Sequence, residues 1–239
     1  LAELIERSGG RTICVPTLEI VPLPFSALLS KQLQRLKSAN WVIFISTYAV
    51  RYGLQCIRSA NADLDGVKAA SIGAATSRAL HGSGISVDLE CPNPVGSESL
   101  LTTTDMLEIA GQAIVIFRGT GGRELLGRTL RKRGATVEYI ECYERQCPHG
   151  GLEGLPGAAD HAVIVTTSVN GLENLIRMAR RGGHDHILHS RLIVIGDRQL
   201  AEARTMGWRG QLTSAHDAGN QAILHKLREM ANEQTDDRI

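Results

Sequence analysis

The chain has 239 residues, enough for one or two domains of ordinary size. Its formal net charge is +1, which argues against a protein built to bind nucleic acid or a membrane surface. Its apolar runs are far shorter than the roughly 20 residues needed to cross a bilayer. The five cysteines form no Cys-x-x-Cys pair, so we expect a reduced, cytoplasmic protein without cysteine-bound zinc.

Short β-rich runs alternate with amphipathic stretches, a pattern typical of parallel sheets with helices on both faces. The predicted strands are Thr12–Val21, Trp41–Ile45, Val67–Ile72, Ser86–Leu89, Ala113–Phe117, Thr136–Arg145, Ala162–Thr166, Leu192–Ile195 and Gly210–Leu212. The predicted helices include Ser97–Ala110, Gly122–Arg133, Val169–Arg181 and Ala218–Met230. The charged end, Asn232–Ile239, is expected to fray.

The chain contains two copies of one pattern, separated by about 123 residues, the offset between Gly73 and Gly196. The paired segments are Trp41–Ser46 with Ala162–Ser168, and Ser71–Leu80 with Val194–Ala203. Two similar α/β units in one chain predict a cleft between them, where ligands commonly bind. The same offset predicts a further strand and turn before Leu1, equivalent to those at residues 113–123.

Two longer runs, residues 17–24 and 137–146, alternate charged and bulky side chains and occupy matching positions in the repeat. Such alternation is typical of strands exposed on one face. We predict that they are the two crossings between the units and that they pair with each other.

The turn Arg118–Arg123 follows a buried-type strand and opens a helix. Its glycines allow backbone amides to face an anion, so it is either a tight turn, a carboxylate or phosphate cradle, or a nucleotide site. The glycine spacing fits neither a dinucleotide fingerprint nor a Walker loop. The nearby basic residues Arg128–Arg133 share a helix with leucines and are interpreted as a solvated face.

Polar and glycine residues recur where predicted strands give way to helices. They are Ser46, Gly73, Thr76, Ser97, Glu98, Ser168 and Gly196. Each can be an N-cap, but together they place several helix N-termini at the carboxyl edge of a sheet, which suits a ligand with many negative charges.

Tyr143 lies at the end of the second crossing strand. Its ring either packs on an amphipathic strand or presents a phenol that donates a proton or hydrogen bond to a leaving group. The histidines at 184, 186 and 189 are interpreted as loop residues, and no metal site is predicted.

The pattern resembles the uroporphyrinogen-III synthase family over nearly the whole chain. The segments that carry the resemblance are Phe44–Val50, Ile72–Leu80, Gly96–Leu101, Phe117–Leu126, Lys132–Tyr143 and Thr167–Leu175. Two positions depart from the family pattern: Tyr48 replaces a common asparagine, and the Gly196 turn lacks a threonine equivalent to Thr76.

The resemblance implies an α/β fold of two similar doubly wound, flavodoxin-like lobes with parallel sheets, joined by a two-stranded β linker. Lobe 1 would combine residues 1–16 and 147–239, and lobe 2 would comprise residues 25–136. The linker strands would be residues 17–24 and 137–146.

The resemblance also implies a lyase of porphyrin and haem biosynthesis that needs no cofactor. Its substrate would be hydroxymethylbilane, a linear tetrapyrrole bearing eight carboxylates, which the enzyme closes with loss of water and inversion of ring D. Tyr143 would supply the proton, and Ser46, Gly73, Thr76, Ser97, Glu98, Arg118, Gly119, Ser168 and Gly196 would line the substrate site. The protein is expected to be a cytoplasmic monomer, with hydroxymethylbilane synthase as its upstream partner.

Two other functions remain open from the residues alone. One is a non-catalytic, two-lobed module that binds or senses a small anion through the same helix N-termini. The other is a nucleotide-dependent enzyme that uses the Arg118–Arg123 turn.

Overall fold

Residues 1–155 and 162–236 are described by a computed structural model, with side chains described as far as Ala231. The chain divides into two units. Unit 1 comprises Leu1–Glu19 with Gln146–Ile239, and unit 2 comprises Ile20–Arg145. Both units are built from parallel sheets with helices, so the predicted α/β class is confirmed.

Unit 2 contains a six-stranded sheet in the order β1-β6-β5-β2-β3-β4. Its strands are β1 (Glu19–Pro22), β2 (Trp41–Phe44), β3 (Lys68–Ser71), β4 (Leu89–Glu90), β5 (Ala113–Gly119) and β6 (Thr136–Gln146). All neighbours from β6 to β4 run parallel, so their carboxyl ends share one edge. The helices of the unit are α2 (Ala27–Leu33), α3 (Thr47–Ser59), α4 (Ala74–His81), α5 (Ser97–Leu100), α6 (Thr104–Leu107) and α7 (Leu125–Lys132).

The two faces of this sheet are both buried. On β2, Val42 and Phe44 belong to one apolar core, while Trp41 and Ile43 belong to the other. β5 divides its side chains in the same way, and the rings of Phe44 and Phe117 stack 4.8 Å apart. Strands buried on both faces read as continuous apolar runs, which is why β2 and β5 were visible in the sequence.

Unit 1 contains a three-stranded parallel sheet in the order β7-β8-β9. Its strands are β7 (Val163–Val165), β8 (Arg191–Ile195) and β9 (Leu212–Ala215). Its helices are α1 (Ala2–Arg7), α8 (Val169–Gly182), α9 (Gly196–Thr205) and α10 (Asn220–Asp236). Leu192 and Val194 pack into one core and Ile193 into another, so this sheet is also covered on both faces.

Two predicted elements differ in extent from those observed. The predicted strand Thr12–Val21 pairs in a sheet only from Glu19 onward, as β1. Its first part does not, because Pro16 cannot donate to a ladder and Ile13 is exposed. The predicted helix Ser97–Ala110 is two short helices, α5 and α6. The hydroxyls of Thr102 and Thr103 donate to the Ser99 and Leu100 carbonyls and thereby compete with the helix ladder.

The ends of two further elements also shift. β9 begins at Leu212, two residues into the predicted strand Gly210–Leu212, and continues to Ala215. The predicted frayed tail is helical in α10 as far as Asp236, and residues 237–239 lie outside the described part.

The two runs predicted as linker strands are neighbours, as expected, but they are part of the six-stranded sheet. β6 pairs with β5 from Thr136 to Tyr143, so most of the predicted linker 137–146 belongs to the sheet of unit 2. On its other side, the Leu23 N–H donates to the Cys142 carbonyl at 3.1 Å. β6 therefore joins β5 to the segment that enters unit 2.

Across residues 1–155 and 162–236, no helix combines the length and apolar character that a bilayer crossing requires.

Candidate functional site

Three of the predicted site residues lie in register at the carboxyl edge of the unit 2 sheet. Phe44 of β2 is the partner of Ser71 on β3 and of Phe117 on β5. Ser46, Gly73 and Gly119 each lie two residues beyond that row. The parallel pairing therefore brings together side chains and turns that are far apart in sequence.

Ser46 and Tyr143 form the central contact of this edge. The Ser46 Oγ lies 3.0 Å from the Tyr143 hydroxyl oxygen, and either oxygen can be the donor. Ser46 is also the N-cap of α3, where its Oγ accepts a hydrogen bond from the Ala49 N–H at 3.0 Å. The phenol oxygen of Tyr143 thus lies beside the positive end of a 13-residue helix.

A register shift in β6 determines which way Tyr143 points. Arg118 pairs with Glu141, but Gly119 pairs with Tyr143, so Cys142 is an extra residue in β6. Strict alternation would put Cys142 and Tyr143 on opposite faces of the sheet. Both instead pack in the same apolar core, because the bulge turns Tyr143 onto the face covered by α3.

The absence of a side chain at Gly119 leaves room for the ring of Tyr143. A Cβ atom at Gly119 would lie 2.5 Å from Cε2 of Tyr143 and 2.8 Å from Cζ. The Tyr143 side chain is buried, with 1% of its surface exposed, so the ring has little room to retreat. The Thr120 N–H donates to the Tyr143 carbonyl at 2.9 Å and fixes the strand at the same point.

Three of the chain's four tyrosines cluster at this edge. The ring centroids of Tyr48 and Tyr52 both lie about 6 Å from that of Tyr143, at 6.0 and 6.1 Å. Tyr52 is buried and donates its hydroxyl to the Ile20 carbonyl at 3.2 Å, whereas Tyr48 is 42% exposed. Tyr48 is therefore the solvent-facing member of the cluster.

The α4 N-terminus presents backbone amides next to Ser46. Gly73 precedes α4 with φ +155° and ψ 174°, a conformation that is essentially restricted to glycine. The N–H groups of Gly73, Ala74 and Ala75 have no hydrogen-bond acceptor among the described residues. Thr76 is buried and its own N–H donates to the Gly73 carbonyl at 2.9 Å, so its amide is already bonded.

Gly96 repeats that backbone conformation, with φ +156° and ψ 170°, ahead of the short helix α5. Ser97 and Glu98 form its first turn. The Glu98 carboxylate accepts a hydrogen bond from Arg123 at 3.1 Å, and both side chains are exposed. A carboxylate repels an anion, so the useful groups here for an anionic ligand are main-chain amides and Arg123.

Arg118 lies inside the fold rather than at its surface. Its side chain is 3% exposed, donates to Glu124 Oε1 at 2.7 Å and to the Gly119 carbonyl at 3.2 Å, and covers the ring of Tyr139 at 4.4 Å. The hydrogen bond from Arg118 lowers the pKa of Glu124, and burial raises the pKa of Tyr139. This guanidinium holds the 118–124 turn in place.

The thiol of Cys142, which is buried beside Tyr143, is expected to be unreactive. Burial raises the pKa of Cys142 to about 12, with a smaller contribution from Cys56. A thiol with that pKa is protonated at neutral pH and is a poor nucleophile.

The unit 1 sheet repeats the same local design at its own carboxyl edge. Ser168 is the N-cap of α8 and accepts from the Gly171 N–H at 3.0 Å, as Ser46 does from Ala49. Gly196 opens α9 with φ +68°, and the neighbouring Asp197 accepts from the Ser214 hydroxyl at 3.3 Å. Thr166 Oγ1 is buried there without a hydrogen-bond partner among the described residues.

Two other places, the histidine segment at residues 184–189 and a surface depression, are less suited to a ligand. Within the described ranges, no group of three or more His, Cys, Asp or Glu side chains is arranged to hold a metal ion, and the rings of His184 and His186 lie 5.9 Å apart. A shallow depression of about 450 Å³ between Leu54 and Asp88 lies at the amino-terminal edge of the unit 2 sheet. We place the candidate site at the opposite edge of this sheet, because Tyr143, the capping Ser46 and the free amides of the Gly73 turn are there.

Two features of this site were not predicted from the sequence. The Ser46–Tyr143 contact depends on the bulge at Cys142, and no local signal in the sequence marks that bulge. Tyr48 was noted only as a departure from a family pattern, whereas the structure shows it next to Tyr143. The spacing of Tyr48 and Tyr52, four residues apart and therefore on one helix face, was the available clue.

A family model described as uroporphyrinogen-III synthase HemD matches residues 1–223. The curated uroporphyrinogen-III synthase of Escherichia coli (strain K12) is 32% identical over 218 residues, which cover 89% of this chain and 88% of the relative. That of Salmonella typhimurium is 36% identical over 163 residues, covering 66% of this chain and 65% of the relative.

Solved structures with the same fold carry the same name. A mutant uroporphyrinogen III synthase from Thermus thermophilus matches with a TM-score of 0.53 at 16% identity, covering 97% of this chain and 93% of that one. The Helicobacter pylori 26695 protein matches with a TM-score of 0.55 at 16% identity, covering 92% and 93%. At this identity the structural likeness supports the fold.

Proposed function

The chain belongs to the uroporphyrinogen-III synthase family, and on that premise we propose that it closes hydroxymethylbilane at the carboxyl edge described above. Membership makes it an enzyme of the lyase class in tetrapyrrole biosynthesis. The reaction breaks the bond between carbon and the terminal hydroxyl, releases water, inverts ring D and forms the macrocycle.

The Ser46–Tyr143 pair carries this proposal. The leaving hydroxyl needs a proton, and the Tyr143 phenol is a donor whose oxygen lies 3.0 Å from Ser46 Oγ at the start of α3. The positive end of that helix favours the phenolate that remains after the transfer. Loss of a proton from the pyrrole carbon that forms the new bond restores the phenol, so the catalyst is regenerated.

The burial of Tyr143 supports an indirect route for the proton. Tyr143 is 1% exposed, whereas Ser46 is partly exposed. We therefore infer a relay in which the Ser46 hydroxyl protonates the leaving group while Tyr143 protonates Ser46. The Ala49 N–H bonded to Ser46 Oγ holds the serine in the orientation that this relay requires.

The eight carboxylates of the substrate must be bound by hydrogen-bond donors, which is a separate task from protonating the leaving group. The free amides at Gly73 and the turn that starts at Gly119 supply such donors in unit 2, with Arg118 holding that turn rather than touching substrate. Thr76 is buried, and it supports the Gly73 turn because its N–H donates to the Gly73 carbonyl. Ser97 and Glu98 contribute amides, and Glu98 also holds Arg123.

Unit 1 offers similar donors at the carboxyl edge of its own sheet. Ser168 and Gly196 start helices at the carboxyl edge of its sheet, and the unpartnered Thr166 hydroxyl offers a hydrogen bond that no described residue satisfies. The carboxylate of Asp197 repels an anion at this edge, as that of Glu98 does in unit 2.

We further propose that each unit is one flavodoxin-like lobe. In the repeat, β5 and β6 are the first two strands of the second copy, while β2, β3 and β4 are the last three of the first copy. Numbered in this way, the sheet order β6-β5-β2-β3-β4 becomes 2-1-3-4-5, the flavodoxin-like order. This order supports a fold in which the two copies have exchanged their first two strands.

The test of the function is an isomer assay on the purified protein. With hydroxymethylbilane as substrate, the product should be uroporphyrinogen III, resolved from the type I isomer by chromatography. A product that is only type I would contradict the proposal. Binding of the tetrapyrrole without turnover would instead favour the non-catalytic anion-binding module.

The relay is tested by Tyr143→Phe and Ser46→Gly. Each should lower kcat by about 100-fold, in the range typical of a lost general acid. The double variant should be no slower than the worse single variant, because the two groups act as one unit. Glycine retains most of the helix cap, so loss of the cap alone does not explain a large effect.

Ser26→Gly is the matched control, since Ser26 caps α2 in the same way, accepting the Leu29 N–H at 3.1 Å, without contact to Tyr143. It should leave kcat unchanged. A Ser46→Gly enzyme with wild-type kcat would rule out the relay, and a Tyr143→Phe enzyme with wild-type kcat would rule out the phenol as donor.

The remaining expectations (a monomer, a cytoplasmic location, hydroxymethylbilane synthase as upstream partner, and no cofactor) stay predictions.

A further inference from the structure

Tyr48 is an exposed aromatic side chain at the proposed reaction site. It is the second residue of α3, two positions after Ser46, and 42% of its surface is exposed. Its ring centroid lies 6.0 Å from that of the buried Tyr143. Part of the ring face is therefore open to a ligand beside the proposed reaction site.

The ring is held in place from behind. Tyr52, one helical turn later, stacks against Tyr48 at 6.4 Å with an interplanar angle of 12°. Tyr52 is itself fixed, because its hydroxyl donates to the Ile20 carbonyl and the guanidinium of Arg51 lies 5.4 Å from its ring centre. The ring of Tyr48 is therefore positioned before any ligand arrives.

The turn at Gly73, which follows the strand next to β2, offers both apolar surface and anion donors. Val95, 61% exposed, contacts the turn at Gly73, where a Cβ would lie 2.8 Å from Val95 Cγ1. The free amides of Gly73, Ala74 and Ala75 belong to the same turn. Gly73 follows the strand next to β2, so this combination adjoins the start of α3.

We propose that the ring of Tyr48 is a packing surface for one pyrrole ring of the substrate. This inference rests on the proposed function, since that function supplies a ligand made of flat, electron-rich rings that carry carboxylates. A pyrrole stacked or edge-on against Tyr48 is held while the neighbouring amides bind its carboxylates. The contact fixes the end of the chain that must turn over beside Ser46 and Tyr143.

The proposal assigns the role to the ring face and not to the hydroxyl. The Tyr48 hydroxyl has no hydrogen-bond partner among the described residues, so Tyr48→Phe retains the face and removes only a free polar group. Tyr48→Ala removes the face. Tyr48→Leu retains much of the apolar bulk and the helix propensity, so its effect on KM measures the contribution of the aromatic ring itself.

The experiment measures kcat and KM for hydroxymethylbilane, with both product isomers resolved. Tyr48→Ala should raise KM about tenfold with kcat within about twofold of wild type, as for a residue that binds substrate and transition state alike. Tyr48→Phe should retain the wild-type KM, and Tyr48→Leu should fall between them. Leu107→Ala, which trims a similarly exposed apolar residue on α6 that precedes the amino end of β5, should change neither constant.

An unchanged KM in Tyr48→Ala would overturn the proposal, as would a Tyr48→Phe enzyme as weak as Tyr48→Ala. Thermal melting checks that each variant is folded. If Tyr48→Ala does not fold, the KM of Tyr48→Leu tests the proposal instead. Failure of this inference is distinct from failure of the function. Wild-type enzyme that forms uroporphyrinogen III while Tyr48→Ala behaves normally refutes only the role of Tyr48.

Discussion

Gly119 shows how much the proposed reaction site depends on the absence of one side chain. Tyr143 reaches Ser46 only because β6 bulges at Cys142 and because the facing backbone has no Cβ. The sequence indicated a turn after β5 and left open whether its glycines form a tight turn, an anion cradle or a nucleotide site, while the family resemblance implied that Gly119 lines the substrate site. The first glycine of that turn has a second role, which is to leave space for the ring of Tyr143.

We expect Gly119→Ala to lower kcat by at least tenfold and to cost about 1–3 kcal/mol of stability, as overpacked cores usually do. The added methyl would meet Cε2 and Cζ of Tyr143, so the phenol must move away from Ser46. Steady-state kinetics and urea unfolding measure the two effects.

Gly53→Ala separates these effects, because its Cβ would meet Phe117 Cδ1 at 2.6 Å and not Tyr143. It should lower stability while retaining kcat. Equal loss of kcat in both variants would mean that Gly119 matters for packing alone.

At the scale of elements, the loop between β5 and α7 is held by a buried charge. Arg118 is almost completely enclosed, and it bridges Glu124, the Gly119 carbonyl and the face of Tyr139. The Tyr139 hydroxyl in turn accepts the Gly127 N–H at 3.1 Å in α7. Strand, loop and helix are thereby connected through one guanidinium, which the sequence had suggested as a substrate ligand.

We expect the stability contributed by Glu124 to depend on pH. Its pKa is lowered in the folded protein, chiefly by the hydrogen bond from Arg118. The contribution is therefore fully present above the unfolded-state pKa of about 4.3, and it is lost as the pH falls through the lower pKa of the folded state. Wild type should melt at a higher temperature than Glu124→Gln at pH 7, and the difference should shrink toward pH 3.

Glu98→Gln provides the comparison. Glu98 pairs with Arg123, and both side chains are mostly exposed, so solvent screens the pair. It should change the melting temperature little at either pH. A Glu124→Gln difference that is constant from pH 7 to pH 3 would exclude ionisation of Glu124 as its cause.

At the scale of the whole molecule, the two units differ in how the chain builds them. Unit 2 is one continuous segment, Ile20–Arg145, whereas unit 1 combines Leu1–Glu19 with the segment that starts at Gln146. Both apolar cores of unit 2 are made from residues within its own segment.

We expect a fragment of residues 20–145 to fold without the rest of the chain. It should unfold in urea in a single cooperative transition, because it retains the complete six-stranded sheet apart from the ends of β1 and β6. It should show no turnover, since Ser168 and Gly196 are absent. Circular dichroism and urea titration test this, and a non-cooperative transition would show that unit 2 needs unit 1.

The sequence by itself determined the fold class, the repeat and the order of most elements. β2, β5 and β8 are apolar on both faces, and Ser46 and Ser168 are capping residues at the expected helix starts. Such signals are local, because hydrophobic periodicity and capping act over a few residues. For the same reason the family resemblance could be stated from short segments.

Only the tertiary structure decided which of these residues meet. Ser46 and Tyr143 are 97 positions apart, and their contact depends on parallel pairing, a bulge and a glycine on a third strand. It likewise placed Arg118 inside the fold and Tyr48 beside Tyr143. Register and burial arise from packing between segments that are distant in sequence. The type of a residue therefore does not specify which residues will contact it in the fold.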